Sequence, residues 1–163
     1  MENHLHRSRA EDLDATALYG LLRLRAEIFV MTSTDPEPDG RDLSVGTHHF
    51  WVEDPAGHVV ATLRLVTEQS GPHEALRIDR LCTKVTARRR GHAHRLLAAA
   101  VADAGDRACH ITAQRHLEEI YARHGFISTG REYLDDGVSH VHMIKPCRRT
   151  AYSSSSNSSR ATP

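Results

Sequence analysis

The chain has 163 residues, of which 39% are hydrophobic and 26% charged, a composition typical of a globular protein rather than of a disordered or fibrous one. Basic and acidic residues number 21 each, and this balance argues against a nucleic-acid partner. No apolar run approaches the roughly 20 residues of a membrane span, so no membrane partner is expected either. A chain of this length buries one adequate core but rarely two, which predicts a single domain.

The cysteines and histidines indicate neither a disulfide framework nor a metal site. Cys82, Cys109 and Cys147 contain no C-x-x-C pair, which favours a reducing interior and predicts a cytoplasmic protein. Several of the 13 histidines come in pairs, such as His140 and His142, which a strand would place on one face. No third ligand with metal-like spacing is nearby, so no metal is expected.

The N-terminal part of the chain is predicted to contain a helix. Apolar residues recur every three or four positions across Ala15–Val30, and Asp14 is placed to cap this helix. The proline-bearing stretch Thr32–Asp42 then breaks the pattern. Ahead of the helix, Leu5–Arg9 can add one strand.

The middle of the chain is predicted to be β-structure. Two segments rich in β-formers are joined by the turn sequence Asp54–Gly57 and predict a hairpin, and a third strand follows a loop at Glu68–Glu74. The three predicted strands are Thr47–Glu53, His58–Val66 and Leu76–Thr83.

Helices and strands alternate in the C-terminal half. The predicted elements are the helix His92–Ala104, the strand Cys109–Ala113, the helix His116–His124, and the strands Phe126–Thr129 and Val138–Ile144. This order predicts a mixed α/β sheet in one domain over residues 1–147. The serine-rich segment 148–163 is predicted to be a disordered polar tail, because it cannot offset the entropy of ordering.

The turn between the third strand and the next helix has the features of an anion site. A strand that leads into a glycine-bearing helix start directs unpaired backbone N–H groups and the positive end of the helix dipole at one point, which suits a pyrophosphate. Gly91 allows close approach of the backbone, and Arg88–Arg90 supply positive charge. The alternative is a basic helix terminus that is merely exposed to solvent.

Two motifs then resemble those of a known family. Arg88-x-x-Gly91-x-Ala93 resembles the acetyl-CoA signature of the GNAT (Gcn5-related N-acetyltransferase) superfamily, and Tyr121–Phe126 resembles its Y-x-x-x-G-F motif. The two lie in the family's order with the appropriate elements between them. Further similarity to the ElaA-like subgroup is carried by Asp39–Asp42, Arg77-Ile78, Ala113-Gln114 and Asp135–Gly137.

The resemblance implies a fold and a cofactor site. We expect a mixed, mostly antiparallel sheet of six or seven strands flanked by helices, with a bulge in the strand Leu76–Thr83 and a V-shaped splay between it and Cys109–Ala113. Acetyl-CoA would lie in the V, with its pantetheine amides on the backbone of Leu81, Cys82 and Thr83. Its pyrophosphate would rest on Arg88, Arg89, Arg90, Gly91, His92 and Ala93.

The resemblance also implies a proton donor, Tyr121, for the departing thiolate. A phenol has a reference pKa of about 10 and keeps its proton at neutral pH. The alternative is that Tyr121 is a packed aromatic residue on an amphipathic helix.

The general base is less well defined. Many GNAT enzymes place a glutamate where this chain has Arg77. Asp79, two residues further on, is therefore the first candidate, and its alternative role is an ion pair with Arg77 or Arg80. Three histidines or a chain of water molecules could also serve, the histidines being His49, His116 and His140.

These observations predict an N-acetyltransferase that moves an acetyl group from acetyl-CoA to a primary amine of a small molecule or a protein, by direct attack in a ternary complex. A non-catalytic acyl-CoA-binding module is the alternative, since the strand glutamate is missing. A nucleic-acid patch at Arg88–Arg90 is disfavoured by the neutral net charge. The oligomeric state, including a homodimer, is left open.

Overall fold

The computed structural model describes residues 2–29, 38–70 and 73–147 of the chain. The predicted tail at 148–163 lies outside these residues. Within them, seven strands form one sheet in the order β1-β2-β3-β4-β5-β7-β6, and all neighbouring strands are antiparallel except β4 and β5. The strands are β1 (His4–Arg9), β2 (Thr47–Glu53), β3 (Val59–Ser70), β4 (His73–Thr83), β5 (Cys109–Gln114), β6 (Ile127–Asp135) and β7 (Val138–Lys145). The predicted fold class is confirmed.

Helix α1 (Ala15–Phe29) begins where the sequence predicts. The Ala17 N–H donates to Oδ1 of Asp14 at 2.8 Å, which confirms the predicted N-cap. The helix packs against β3 and β4 and buries Leu21 and Leu24.

Helix α2 (His92–Ala104) lies on the other face of the sheet. Side chains alternate along β3, and Leu63 and Leu65 join the core cluster that contains Leu96 and Leu97 of α2. Arg64 points the opposite way, toward the α1 side. The main core therefore lies between the sheet and α2, and it continues to Tyr121 and other residues near α3 (Glu118–Ala122).

The hairpin between β2 and β3 forms as predicted, but β3 and β4 extend further than the sequence indicates. At the turn, Asp54 Oδ1 accepts from the N–H groups of Ala56 and His58, both at 2.9 Å. The predicted loop at Glu68–Glu74 is wrong at 68–70 and 73–74, because pairs such as Glu68↔Ala75 continue the ladder, and residues 71–72 lie outside the described residues. These residues are polar and extend past the core, so their sequence lacks the apolar alternation of a half-buried strand.

Strand β4 carries the predicted bulge and parts from β5. Thr62 pairs with Cys82 and Arg64 with Asp79, so two residues of β4 lie opposite one residue of β3. Arg80, inside this bulge, has a φ of 52°. Strands β4 and β5 pair only at Leu76↔Cys109 and Arg77↔His110, beyond which they diverge. The expected V-shaped splay is confirmed.

The last helix is shorter than predicted and β6 is longer. Helix α3 follows a 3-10 turn at Arg115–Leu117, and together they occupy most of the predicted helix His116–His124. Strand β6 continues to the predicted turn at Asp135–Gly137, where Asp136 and Gly137 have φ values of 48° and 76°. No helix in the described ranges is long and apolar enough to cross a membrane.

Candidate active site

A cavity of about 1120 Å³ opens where β4 and β5 diverge. The start of α2, the β6–β7 turn, and Asp39 and Arg41 all contribute to its lining. Most of the site residues predicted from the sequence line this cavity: Asp79, Leu81, Cys82, Thr83, Arg88, Arg89, Gly91, His92, Ala93 and Tyr121. Arg90 belongs to the same turn but is not part of the lining.

The start of α2 presents unpaired backbone donors. The first helical hydrogen bond runs from the Arg95 N–H to the Gly91 carbonyl at 3.0 Å, so the N–H groups of the three residues between them have no acceptor within the helix. Gly91 has a φ of 78°, and among the described residues, apart from its own chain neighbours, no atom lies within 4 Å of the position that a Cβ would take. The geometry leaves room for an anion at the positive end of the helix dipole.

Three exposed arginines precede this helix. Arg88 donates through Nε to the Thr83 carbonyl at 3.2 Å, and this contact ties the turn to the end of β4. His92 is 5% exposed, and its Nε2 lies 3.2 Å from Asn3 Nδ2. Burial lowers the pKa of His92, as do Arg95 and Arg90, so its imidazole is neutral at neutral pH. The positive charge beside the start of α2 therefore comes from the arginines.

The end of β4 forms one wall of the V. Leu81, Cys82 and Thr83 line the cavity beyond the last residue of β4 that pairs with β5, where the two strands have diverged. A ligand with amide groups could pair with the edge of β4 there as an added strand would.

Tyr121 lies in the cavity wall, with 7% of its surface exposed. Its ring packs edge-on against Phe126 at a centroid distance of 6.4 Å. Burial raises the pKa of Tyr121 to about 12, so the phenol keeps its proton at neutral pH. Among the described residues no hydrogen-bond partner is found for its hydroxyl group. Tyr121 is thus both a packed aromatic residue and an available proton donor.

Asp79 pairs with Arg64, an arginine that the sequence analysis did not consider. Its two carboxylate oxygens accept from Nε and Nη2 of Arg64 at 2.8 and 2.9 Å. Of the two partners considered from the sequence, Arg77 instead donates to Glu68, and Arg80 donates to Asp39. Asp79 thus lines the cavity, and Arg64 holds its carboxylate in place.

Arg64 belongs to a buried charge cluster, which we define as Arg25, Asp39, Asp42, His49, Arg64 and Asp79. Arg25 and Arg64 are both 0% exposed. Burial raises the pKa of Asp42, but Arg25 and Arg64 outweigh that effect and hold it below the usual value. Hydrogen bonds from Arg64 hold the pKa of Asp39 well below its ordinary range. The carboxylates of Asp39 and Asp42 therefore stay ionised beside the arginines.

The sequence gives one local sign of this cluster. Arg64 stands between Leu63 and Leu65 in a strand that is apolar on both sides, where an arginine has to find a partner. The partners themselves come from distant segments and cannot be identified from the sequence.

The three candidate histidine bases occupy different environments. His116 and His140 line the cavity. The Nδ1–H of His140 donates to the Val138 carbonyl at 2.9 Å, which leaves its Nε2 with a lone pair. His49 does not line the cavity. Burial lowers its pKa, and its Nε2–H donates to the Asp42 carbonyl at 2.8 Å. His49 is therefore a neutral member of the cluster.

Among residues 2–29, 38–70 and 73–147, no group of three or more histidine, cysteine, aspartate or glutamate side chains is placed to hold a metal ion.

Comparison with known proteins identifies the family. The model of the Acetyltransferase (GNAT) domain matches residues 22–147. The chain belongs to the GNAT family. A UPF0039 protein of Mycobacterium tuberculosis is 53% identical over 148 residues, covering 90% of this chain and 95% of that protein. Protein ElaA of Escherichia coli is 28% identical over 149 residues, covering 86% and 93% respectively.

A solved GNAT structure supports the same assignment. An acyl-CoA N-acyltransferase from Pseudomonas aeruginosa matches with a TM-score of 0.79 and 31% identity, over 88% of this chain and 99% of that one. The predicted membership of the GNAT superfamily, with its relationship to ElaA, is confirmed.

Proposed function

We propose that this GNAT protein is an acyl-CoA-dependent N-acyltransferase that moves an acetyl group from acetyl-CoA to a primary amine of a small molecule or a protein. One observation carries the proposal: β4 diverges from β5 and the N–H groups at the start of α2 lie without a helical acceptor, and both features open into the same cavity. The similar protein from Pseudomonas aeruginosa is itself an acyl-CoA N-acyltransferase. We place the reaction in the cytoplasm, because the cysteine pattern favours a reducing compartment.

The two ends of the ligand would meet different groups. Phosphate groups would lie at Gly91, within reach of the α2 N–H groups and of Arg88 and Arg89, which line the cavity. The pantetheine amides would pair with the edge of β4 over Leu81–Thr83. Bound in this way, acetyl-CoA would supply a thioester carbonyl as the electrophile and a thiolate as the leaving group.

Tyr121 would protonate the sulfur as the carbon–sulfur bond breaks. Its raised pKa of about 12 makes it a weak acid against a thiol in water, whose pKa is about 8.5. The same buried wall also disfavours an unprotonated thiolate, so proton transfer is expected to accompany bond cleavage rather than follow it. The location of Tyr121 on the cavity wall supports catalysis over the alternative of a non-catalytic acyl-CoA-binding module.

The incoming amine must lose a proton. Asp79 is our first candidate for the general base that receives this proton, since it is a carboxylate on the cavity wall. His140 is the alternative proton acceptor, because its Nδ1–H is engaged and its Nε2 is not.

The test is an assay of the full chain with acetyl-CoA and a panel of primary amines, including an exposed lysine in a peptide. Free thiol release and the acetylated amine would be followed together. We expect equal amounts of both with at least one amine. Acetyl-CoA binding without thiol release across the panel would instead support the binding module.

A further inference from the structure

Arg64 uses every hydrogen-bond donor of its guanidinium group. Nε and Nη2 donate to the two oxygens of Asp79 at 2.8 and 2.9 Å. Nη1 and Nη2 donate to the two oxygens of Asp39, both at 2.7 Å, and Nη1 also reaches Asp42 Oδ1 at 3.0 Å. A guanidinium has five N–H donors, so its orientation is fully determined. An arginine bound in this way holds its partners in fixed positions.

Arg64 holds two carboxylates that line the cavity, and the two differ in the number of acceptor sites that remain free. The oxygens of Asp39 accept two bonds each, because the Arg41 N–H at 3.0 Å and the Arg80 Nη2 at 3.2 Å complete the set. Asp79 accepts one bond at each oxygen, both from Arg64. A carboxylate has about four acceptor sites, so Asp79 keeps about one on each oxygen. Its side chain is 20% exposed, and it lies on the cavity wall.

We propose that Arg64 is a positioning residue that orients Asp79 so that the unused lone pairs of Asp79 accept N–H bonds from an acceptor amine that enters as an alkylammonium cation. The inference rests on the proposed N-acyltransferase function and names the class of its acceptor. Two further carboxylates, Asp135 and Asp136, line the cavity and have no ion pair within the described part of the chain. They add negative charge where a cation would enter.

The positive groups near Asp79 are already occupied by other carboxylates. Arg41 and Arg77 both contact Glu68 Oε1, at 3.2 and 2.8 Å. Arg80 contacts Asp39. Asp79 is thus the cavity carboxylate that is both fixed in position and open to a donor.

Arg25 provides a matched control for Arg64. It is also 0% exposed and also binds Asp42 Oδ1, at 2.5 Å. Its other contact is His49 Nδ1 at 3.4 Å, and neither Asp42 nor His49 lines the cavity. Lysine at either position keeps the charge but removes the guanidinium fork. Both substitutions are expected to lower the melting temperature, and only the one at Arg64 releases Asp79.

The test is a titration of the full chain with propylammonium chloride, followed by the backbone amide signals of β4 in nuclear magnetic resonance spectra. We expect a saturable shift near Asp79 in the unmodified protein and in Arg25→Lys. Affinity for propylammonium should fall at least about tenfold in Arg64→Lys. In that variant Asp79 is no longer held in place, so its charge-assisted hydrogen bond to the ligand is lost. Tetramethylammonium has the same charge and no N–H group, and it should give no saturable shift.

Asp79→Asn serves as the second variant, should Arg64→Lys fail to fold. This substitution removes the negative charge and turns one of the two oxygen acceptors into an NH₂ donor, so propylammonium affinity should fall by a similar factor. Three results would overturn the inference: no saturable shift in the unmodified protein, equal affinity in Asp79→Asn, or an equal loss in Arg25→Lys. Propylammonium binding together with no thiol release from acetyl-CoA across the whole amine panel would support the inference and contradict the proposed function.

Discussion

At the scale of single residues, Tyr121 combines a packing role with a proposed chemical one. Its ring contributes to the core and contacts Phe126, while its hydroxyl group lies at a cavity wall without a partner in the described structure. Because the two roles depend on different atoms, they can be separated by removing the oxygen alone.

Tyr121→Phe should therefore lower the turnover number about a hundredfold, the usual scale of general acid catalysis, while acetyl-CoA affinity is preserved. Single-turnover kinetics would measure the transfer step, and calorimetry the affinity. An unchanged single-turnover rate would show that Tyr121 only packs and that another group delivers the proton.

The contribution of Tyr121 to folding stability is expected to depend on pH. The pKa of Tyr121 is raised from 10.0 to about 12 by burial, so the unfolded chain loses this proton first as the pH rises. The contribution of Tyr121 to stability is thus complete below about pH 10 and is lost between about pH 10 and 12. Tyr121→Phe should have a flatter loss of melting temperature across that window.

Individual residues differ in how far the sequence reveals them. Tyr121 and Gly91 are identified by short local motifs, and the structure places both on the cavity wall. Arg25 and Arg64 are not, because a buried arginine depends on carboxylates from other segments, here Asp39, Asp42 and Asp79. Sequence spacing cannot pair such groups before the sheet register is known.

At the scale of elements, the start of α2 is the part of the site that depends most on backbone conformation. Gly91 has a positive φ, and its missing side chain leaves open the space in front of the unpaired N–H groups. A substitution there both strains the backbone and occupies the anion position.

Gly91→Val should abolish the rise in melting temperature that acetyl-CoA produces in the unmodified protein. Gly57→Val is the matched control, because Gly57 also has a positive φ, of 80°, with nothing within 4 Å, and lies in the β2–β3 turn. Both variants should melt earlier without ligand, and only Gly57→Val should keep the acetyl-CoA shift. A normal shift in Gly91→Val would place the phosphates elsewhere.

Elements were predictable where local chemistry sets their ends. Asp14 caps the start of α1. Helix α2 has the predicted bounds and is followed by Gly105. The predicted loop at Glu68–Glu74 failed, because a ladder that extends past the core needs no apolar alternation. The splay of β4 from β5 was expected only from the family resemblance, because the hydrophobic periodicity of a strand does not indicate whether it diverges from its neighbour.

At the scale of the whole molecule, the sheet is a continuous scaffold with one gap. Every neighbouring pair of strands is antiparallel except β4 and β5, and that pair is held at two register positions only. The gap lies between the two halves of the sheet, so the cavity receives backbone edges from one half and side chains from both. Such an arrangement suits the proposed direct transfer between two ligands that share one cavity.

Rapid-quench analysis of one turnover tests this central claim most directly. The full chain, in excess over acetyl-CoA, would be mixed with the amine that is acetylated fastest in the panel, and thiol, acetylated amine and protein mass would be measured in each sample. Direct transfer predicts that thiol and acetylated amine appear together, one for one, while the protein stays unmodified. Thiol release that precedes the acetylated amine, with a transient acetyl group on the protein, would contradict the account.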